Sequence, residues 1–205
     1  MTKVYFSPYY KYVDPKFIYG AQVVDIPEKA DVIVFMGGTD VNPALYNQPK
    51  HYTTDNPDVR RDTGEMGLFL QYPDKVKLGI CRGSQFLTVC NGGKLVQDVT
   101  NHAVFGTHEI NFNGKPYEVT STHHQMMFPF DLPEDSYEIL GYTDNRSKHY
   151  KDGNDNELKV PVDPEVVYYP KTRTLACQSH PEFQDVNHPF VKELNRTLQN
   201  ILGNV

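Results

Sequence analysis

The sequence of 205 residues contains no tryptophan and only three cysteines, Cys81, Cys90 and Cys177. An odd, small number without regular spacing excludes a disulfide framework. Long hydrophobic runs are missing too. The longest purely apolar stretch is Val32–Met36, far short of the roughly 20 residues of a membrane-spanning helix. The Met1-Thr2-Lys3 start runs directly into Val4-Tyr5-Phe6-Ser7-Pro8, which is too short for a signal-peptide core. Basic charge is not in excess: the formal net charge is −6, whereas a general nucleic-acid binder carries clustered positive charge. These absences point to a cytoplasmic protein with neither nucleic acid nor membrane as partner. The 39% hydrophobic content is that of a globular chain, and the length favours one domain over residues 1–205. No internal repeat or low-complexity tract is visible.

Local patterning divides the chain in two. Val4–Phe6, Ala21–Ile26 and Val32–Met36 read as strands, the last apolar on both faces and stopped by Gly37-Gly38. Residues 40–61 are polar, carry Pro43, Pro49 and Pro57, and read as a long loop of the kind that often serves function. Asp62–Tyr72 reads as a helix, with Asp62 and Glu65 as an N-terminal capping pair and Pro73 as the stop. Lys77–Ile80 is the next strand, and Arg82–Asn91 a helix ended by Gly92-Gly93. Beyond Asp98 the expected strands are Thr107–Phe112, Tyr117–Thr122, Tyr137–Tyr142, Glu165–Tyr169 and Thr174–Gln178. Asn113-Gly114 is a hairpin signal between the first two. Asp144–Lys159 is expected to be an exposed loop, and Asn187–Leu202 an amphipathic helix. Alternating strands and helices predict a parallel sheet covered on both faces, to which the second half adds antiparallel hairpins.

Gly79-Ile80-Cys81-Arg82-Gly83 falls between an expected strand and helix. It has the spacing of a nucleophile elbow with Cys in place of Ser. The small residues two before and two after let strand and helix approach, and the helix N-terminus favours a thiolate and supplies free N–H groups for an oxyanion. The bland reading is a structural Cys at a turn; it is the preferred reading for Cys90, on the expected core face of its helix, and for Cys177, inside a strand. Gln178-Ser179-His180-Pro181-Glu182 offers a base and an orienting carboxylate two residues apart, in a Pro-fixed segment expected to be extended. Parallel strands would bring Cys81 and His180 to one edge of the sheet.

Leu78–Gln85 continuing to Gly92–Asp98, together with Phe35–Tyr46, Val119–Gln125 and Gln178–Glu182, resembles the class I glutamine amidotransferase-like proteins. The motifs are most similar to the γ-glutamyl hydrolase and γ-glutamyl-γ-aminobutyrate hydrolase branch, peptidase C26. The four ordered motifs span roughly residues 32–183. The resemblance implies a flavodoxin-like three-layer α/β sandwich with a mostly parallel central sheet. It implies Cys81 as nucleophile, His180 as base, Glu182 as its partner, and the N–H groups of Gly38 and Arg82 as the oxyanion hole. Gly37, Gln85, Ser121, His123, His124 and Gln125 would line a γ-glutamyl pocket. Met36 stands where the family usually has Pro, Ser179 where it often has Trp, and the chain is short for the branch; these departures bear on substrate identity rather than on the chemistry.

The implied reaction needs no cofactor and no metal. His123-His124, with His102 and His108 upstream, lack a metal-ligand spacing, and adjacent residues on a strand face opposite ways. Gly37-Gly38 lacks the remaining features of a phosphate loop. Arg61 and Arg82 are carboxylate-clamp candidates, with a surface role favoured for Arg61 and a packing or loop-anchoring role as good for Arg82. Three functional readings stay open: a free-standing hydrolase of a small γ-glutamyl substrate, the ammonia-producing subunit of an amidotransferase with a synthetase or ligase partner, and a non-catalytic binding module. A homodimer is compatible with all three.

Overall fold

Val32–Phe35 is buried along its whole length, and a strand without a polar face has to be covered on both sides. The computed structural model, which describes residues 1–9 and 14–203, shows how. The first half contributes β1 (Thr2–Phe6), β2 (Ala21–Val23), β3 (Val32–Phe35), α1 (Val59–Gln71), β4 (Val76–Ile80) and α2 (Arg82–Cys90). The second contributes β5 (Lys94–Val96), β6 (Asp98–Val99), β7 (Ala103–Phe112), β8 (Lys115–Thr122), β9 (Met126–Phe128), β10 (Glu138–Thr143), β11 (Tyr150–Lys151), β12 (Asp163–Tyr169), β13 (Thr174–Cys177) and α3 (Pro189–Leu202).

A nine-stranded sheet runs through both halves in the order β2-β1-β3-β4-β13-β12-β10-β7-β8. From β2 to β13 neighbouring strands are parallel, and from β13 to β8 they are antiparallel. The parallel part has the doubly wound order in which ligands bind beyond the C-terminal strand ends. Alternation along β3 sorts the layers: Val32 and Val34 join Phe190, Val191, Leu194 and Leu198 of α3 in one core. Ile33 and Phe35 join Phe69 of α1 and Phe86, Leu87 and Val89 of α2 in the other. The result is the expected three-layer α/β sandwich. No helix among the described residues is long and apolar enough to cross a membrane.

Several local expectations change. Helix α1 starts earlier than expected, capped by Asp58, whose side chain accepts from Arg61 N at 3.0 Å. Asp62 and Glu65 are therefore not a capping pair; both are buried inside the helix. The 144–159 segment is not simply an exposed loop. Its β11 pairs with β6, and Tyr150 packs with Val99, Met126 and Val160 in a satellite cluster. The short strands β5, β6, β9 and β11 lie below the length at which alternation is readable. Asn113 and Gly114 do turn the β7–β8 hairpin, with φ 51° and 77°.

Because Phe190 is fully buried between α3 and the sheet, Phe190→Ala should lower unfolding stability by about 3–5 kcal/mol. Denaturant unfolding measures it, and a loss below about 1 kcal/mol would show that α3 is not the second covering layer.

Candidate active site

Strands β3, β4 and β13 are adjacent and parallel, so the residues that follow them emerge side by side: Gly37-Gly38 near β3, Cys81 after β4, and His180 beyond β13. Cys81 sits at φ 52°, ψ −112°, a conformation that L side chains rarely adopt, immediately before α2. Its N–H bonds Cys177 O at 2.8 Å and its carbonyl accepts from Ser84 Oγ at 2.6 Å. A Cβ on Gly79 would stand 2.6 Å from Gly83 O, and one on Gly83 would collide with Phe35 O. Glycine at both positions is what lets β4, α2 and β3 close around the turn.

His180 Nδ1 lies 2.7 Å from Glu182 Oε1. The two are not in an extended segment: His180 caps a 3₁₀ turn over Pro181–Phe183, and the turn brings the carboxylate back beneath the ring. Thr120 Oγ1 accepts from His180 N at 2.8 Å, and Phe183 stacks on the imidazole at 4.6 Å. Burial opposes a charge on His180, but hydrogen bonds to Cys81 and Glu182 outweigh it and push the imidazole pKa up to about 10. A thiol, an imidazole and a carboxylate in series place a base beside the nucleophile and an orienting anion behind the base. Burial acts the other way on the remaining thiols. It raises the pKa of Cys90, packed on Met66, and pushes Cys177 up to about 12.

The Gly37-Gly38 turn is held from beneath. Arg61, buried rather than on the surface, donates to Met36 O at 2.6 Å, to Gly37 O at 2.9 Å and to Glu65 Oε1 at 3.1 Å. Arg82 completes the network by pairing with Asp62 and Glu65, so it anchors α1 to α2. Gly38 adopts φ 147°, and a Cβ there would collide with the Arg61 guanidinium. Among the described residues, no protein acceptor engages the N–H of Gly38 or Arg82.

A cavity of about 170 Å³ opens at Cys81, bounded by Gly38, Arg82, Gln85, Thr122 and His123–Gln125, with Asp40 and Asp55 on one wall. At about 30 Å³ per water it has room for about six waters, the scale of an amino-acid-sized group. Of the residues expected to line a pocket, Gln85, His123, His124 and Gln125 do so. Gly37 lies beside the His180 ring and is not part of the lining. Ser121 is fully buried off the cavity, its hydroxyl donating to His102 O at 2.5 Å. Ser179 is buried as well, with its hydroxyl 3.4 Å from Cys177 Sγ. Gln85 donates to Gln125 O at 2.9 Å and so holds the lining strip in place.

Asp40 and Asp55 were not singled out in the sequence. Asp40 takes Asp55 N at 2.8 Å and His124 Nε2 at 3.1 Å, which fastens the polar 40–61 segment over the cavity. Its hydrogen bond raises the His124 pKa against the opposing effect of burial. For Asp40 the readable signal was an acid two residues after the Gly37-Gly38 turn. Thr120 left none, because it meets His180 across a long sequence separation. Phe183 lies in the same short segment as the ring it stacks on but carries no pattern that marks it. Arg61, a clamp candidate read as a surface residue, meets carbonyls far from it in sequence.

Two groups bring metal-type ligands together, Asp40 with Asp55 and His124, and His102 with His108 and Glu165. In the first, Asp40 accepts from the backbone N–H of Asp55 and pairs with His124 itself.

Residues 19–131 match the family model of Peptidase C26, more than half of the 205-residue chain, and the chain belongs to this family. It is 30% identical over 122 residues to protein NtpR of Enterococcus hirae, covering 56% of this chain and 50% of that one. It is 28% identical over 186 residues to YvdE of Lactococcus lactis, named a candidate glutamine amidotransferase-like protein, covering 80% and 71%. The chain thus spans about half the length of some curated relatives it matches, 50% of NtpR among them. In fold it is similar to a Thermoplasma acidophilum protein named as a candidate component of GMP synthase, with TM-score 0.63, 16% identity and coverage of 99% and 94%. A glutamine amidotransferase from Thermotoga maritima superposes with TM-score 0.56 at 13% identity, covering 99% and 94%.

Because its folded pKa is raised, His180 should keep its proton through neutral pH and lose it as pH rises through about 10. Its contribution to stability is then fully present below about 6.5 and gone above the folded value. NMR titration of the imidazole should find a midpoint well above 6.5 in the wild type, shifted down in Glu182→Gln. An ordinary midpoint near 6.5 in both would contradict the paired geometry.

Proposed function

We propose that this chain hydrolyses a γ-glutamyl amide bond, in glutamine or a γ-glutamyl amine, through a γ-glutamyl thioester on Cys81. The observation that carries the proposal is the series Cys81–His180–Glu182 at a strained strand-to-helix turn, opening on a cavity of amino-acid size. Membership of the Peptidase C26 family supports it independently.

The steps follow from the groups present. The Cys81 thiolate attacks the γ-carbonyl carbon, and the carbonyl electrons move to oxygen. Preorganised N–H donors at Gly38 and Arg82 stabilise that oxyanion, a type of interaction worth several kcal/mol per donor elsewhere. Imidazolium His180 gives its proton to the departing nitrogen, the C–N bond breaks, and ammonia or an amine leaves. Neutral His180 then takes a proton from water as the hydroxide adds to the thioester. Collapse of the second tetrahedral intermediate breaks the C–S bond, releasing glutamate and restoring the ion pair. Glu182 fixes the tautomer and orientation of His180 and stabilises its positive charge. Asp40 and Asp55, on the cavity wall, offer counter-charge for the α-ammonium group of the glutamyl moiety. Neither cofactor nor metal takes part in these steps.

The test is turnover of glutamine and a panel of γ-glutamyl amines, read as glutamate and ammonia release. Cys81→Ala should abolish it. Glu182→Gln should lose about 10- to 1000-fold, less than the ~10⁴ of a serine triad, because a thiol is intrinsically more acidic. Wild-type turnover by Cys81→Ala would remove the thioester route. Turnover appearing only when a synthetase is added would favour the ammonia-producing half of an amidotransferase instead.

A further inference from the structure

Beneath the cavity lies a second cluster that the hydrolytic steps leave unused. His102 stands just before β7, His108 lies on β7, His123 just after β8 and Glu165 on β12. All four are buried, with 0%, 5%, 3% and 1% of their surface exposed. Their donor atoms converge on one carboxylate oxygen: Glu165 Oε1 is 2.9 Å from His108 Nε2, 3.7 Å from His102 Nδ1 and 4.0 Å from His123 Nε2. His102, His108 and Glu165 each place a ligand atom within 4.8 Å of the others.

The outward nitrogens define what the inward ones are. His102 Nε2 lies 2.9 Å from Asp163 Oδ2, so it carries the proton. His123 Nδ1 lies 2.9 Å from the carbonyl oxygen of Gln125, an acceptor only, so it carries one too. In the neutral rings, His102 Nδ1 and His123 Nε2 are therefore bare lone pairs facing a carboxylate. Both atoms are buried and have no hydrogen-bond partner, as has Glu165 Oε2. At 3.7 and 4.0 Å the gap is too long for a proton to bridge as a hydrogen bond. Lone pairs turned on an anion in a dry interior repel, unless a cation lies between them.

We propose that His102, His108, His123 and Glu165 bind one divalent transition-metal ion, Zn²⁺ by the nature of the donors. Zinc takes imidazole nitrogen and carboxylate oxygen at about 2.0–2.2 Å in a tetrahedron, which puts ligand atoms about 3.3–3.5 Å apart. The separations from Glu165 Oε1, 2.9, 3.7 and 4.0 Å, straddle that value. His102, His108 and Glu165 already lie within 4.8 Å of one another, and His123, outside that group, would have to close in as the fourth ligand. The outer contacts fit for two of the three histidines, while His108 Nδ1 is buried without a partner. A ligating histidine normally donates its other N–H to a carboxylate or a carbonyl, as His102 does to Asp163 and His123 to Gln125. Charge balances as well: one Zn²⁺ offsets the two buried carboxylates, Asp163 and Glu165. The ion would be structural. It joins β7 and β12 of the antiparallel part to the His123–Gln125 strip that lines the cavity. The expectation of no metal rested on short ligand spacing, and this set is assembled from four separate segments.

The test starts with the wild-type chain, purified without chelator and supplied with Zn²⁺, then freed of loose metal and analysed by elemental mass spectrometry. One equivalent per chain is expected. Replacement by Co²⁺ should give the visible absorption of a four-coordinate ion. His102→Ala and Glu165→Gln should lose the metal, Asp163→Asn should bind it about 10- to 100-fold more weakly, and half-buried His149→Ala, whose ring pairs with Asp98 outside the cluster, should keep it. Wild-type protein that folds yet takes up neither Zn²⁺ nor Co²⁺ overturns the proposal, whatever the variants do. Full retention by a folded His102→Ala/His108→Ala chain overturns it equally.

Discussion

The backbone of Cys81, at φ 52° and ψ −112°, costs on the order of 1–3 kcal/mol by itself. It persists because Gly79 and Gly83 carry no side chain and let β4, α2 and the end of β3 approach to backbone contact. Relaxing that turn would withdraw the sulfur from His180 and rotate the first N–H groups of α2 away from the cavity. Its position also fixes the rest of the edge. Register between β3, β4 and β13 sets where the glycine turn and the His180 segment emerge relative to the sulfur.

A second constraint works from behind. Arg61, Asp62, Glu65 and Arg82 form a buried charged network that ties α1 to α2 and to the carbonyls of Met36 and Gly37. Such networks add little net stability, but losing one partner leaves an uncompensated charge and costs about 3–5 kcal/mol. What this network supplies is position: the same guanidinium that pairs with Glu65 sets the turn bearing the Gly38 N–H. The side chains seen in the cavity are therefore held by a layer of charges that never reaches it.

Much of this was legible in the sequence where the physics is local. The elbow spacing, the apolar run of β3, the α3 stripe and the Asn113-Gly114 turn each depend on neighbours within a few residues, and each appears at its expected place. What could not be read depends on the assembled chain. Asp62 and Glu65 look like a cap and are instead ion-pair partners of an arginine on another helix. Ser121 sits in a motif expected to line a pocket, yet strand alternation turns it away to His102. Arg61 looks like a surface residue because nothing near it in sequence shows the carbonyls it will meet. The four-segment cluster around Glu165 is illegible for the same reason.

Selective alkylation followed by peptide mapping tests the central claim most directly, because it asks which sulfur the fold has made reactive. At mild pH a thiol-directed reagent should label Cys81 first, with loss of the proposed hydrolysis in step, while buried Cys177 stays protected and Cys90, as partly buried as Cys81, reacts later because its surroundings raise its pKa. Labelling of Cys90 or Cys177 ahead of Cys81, with turnover retained, would contradict the account.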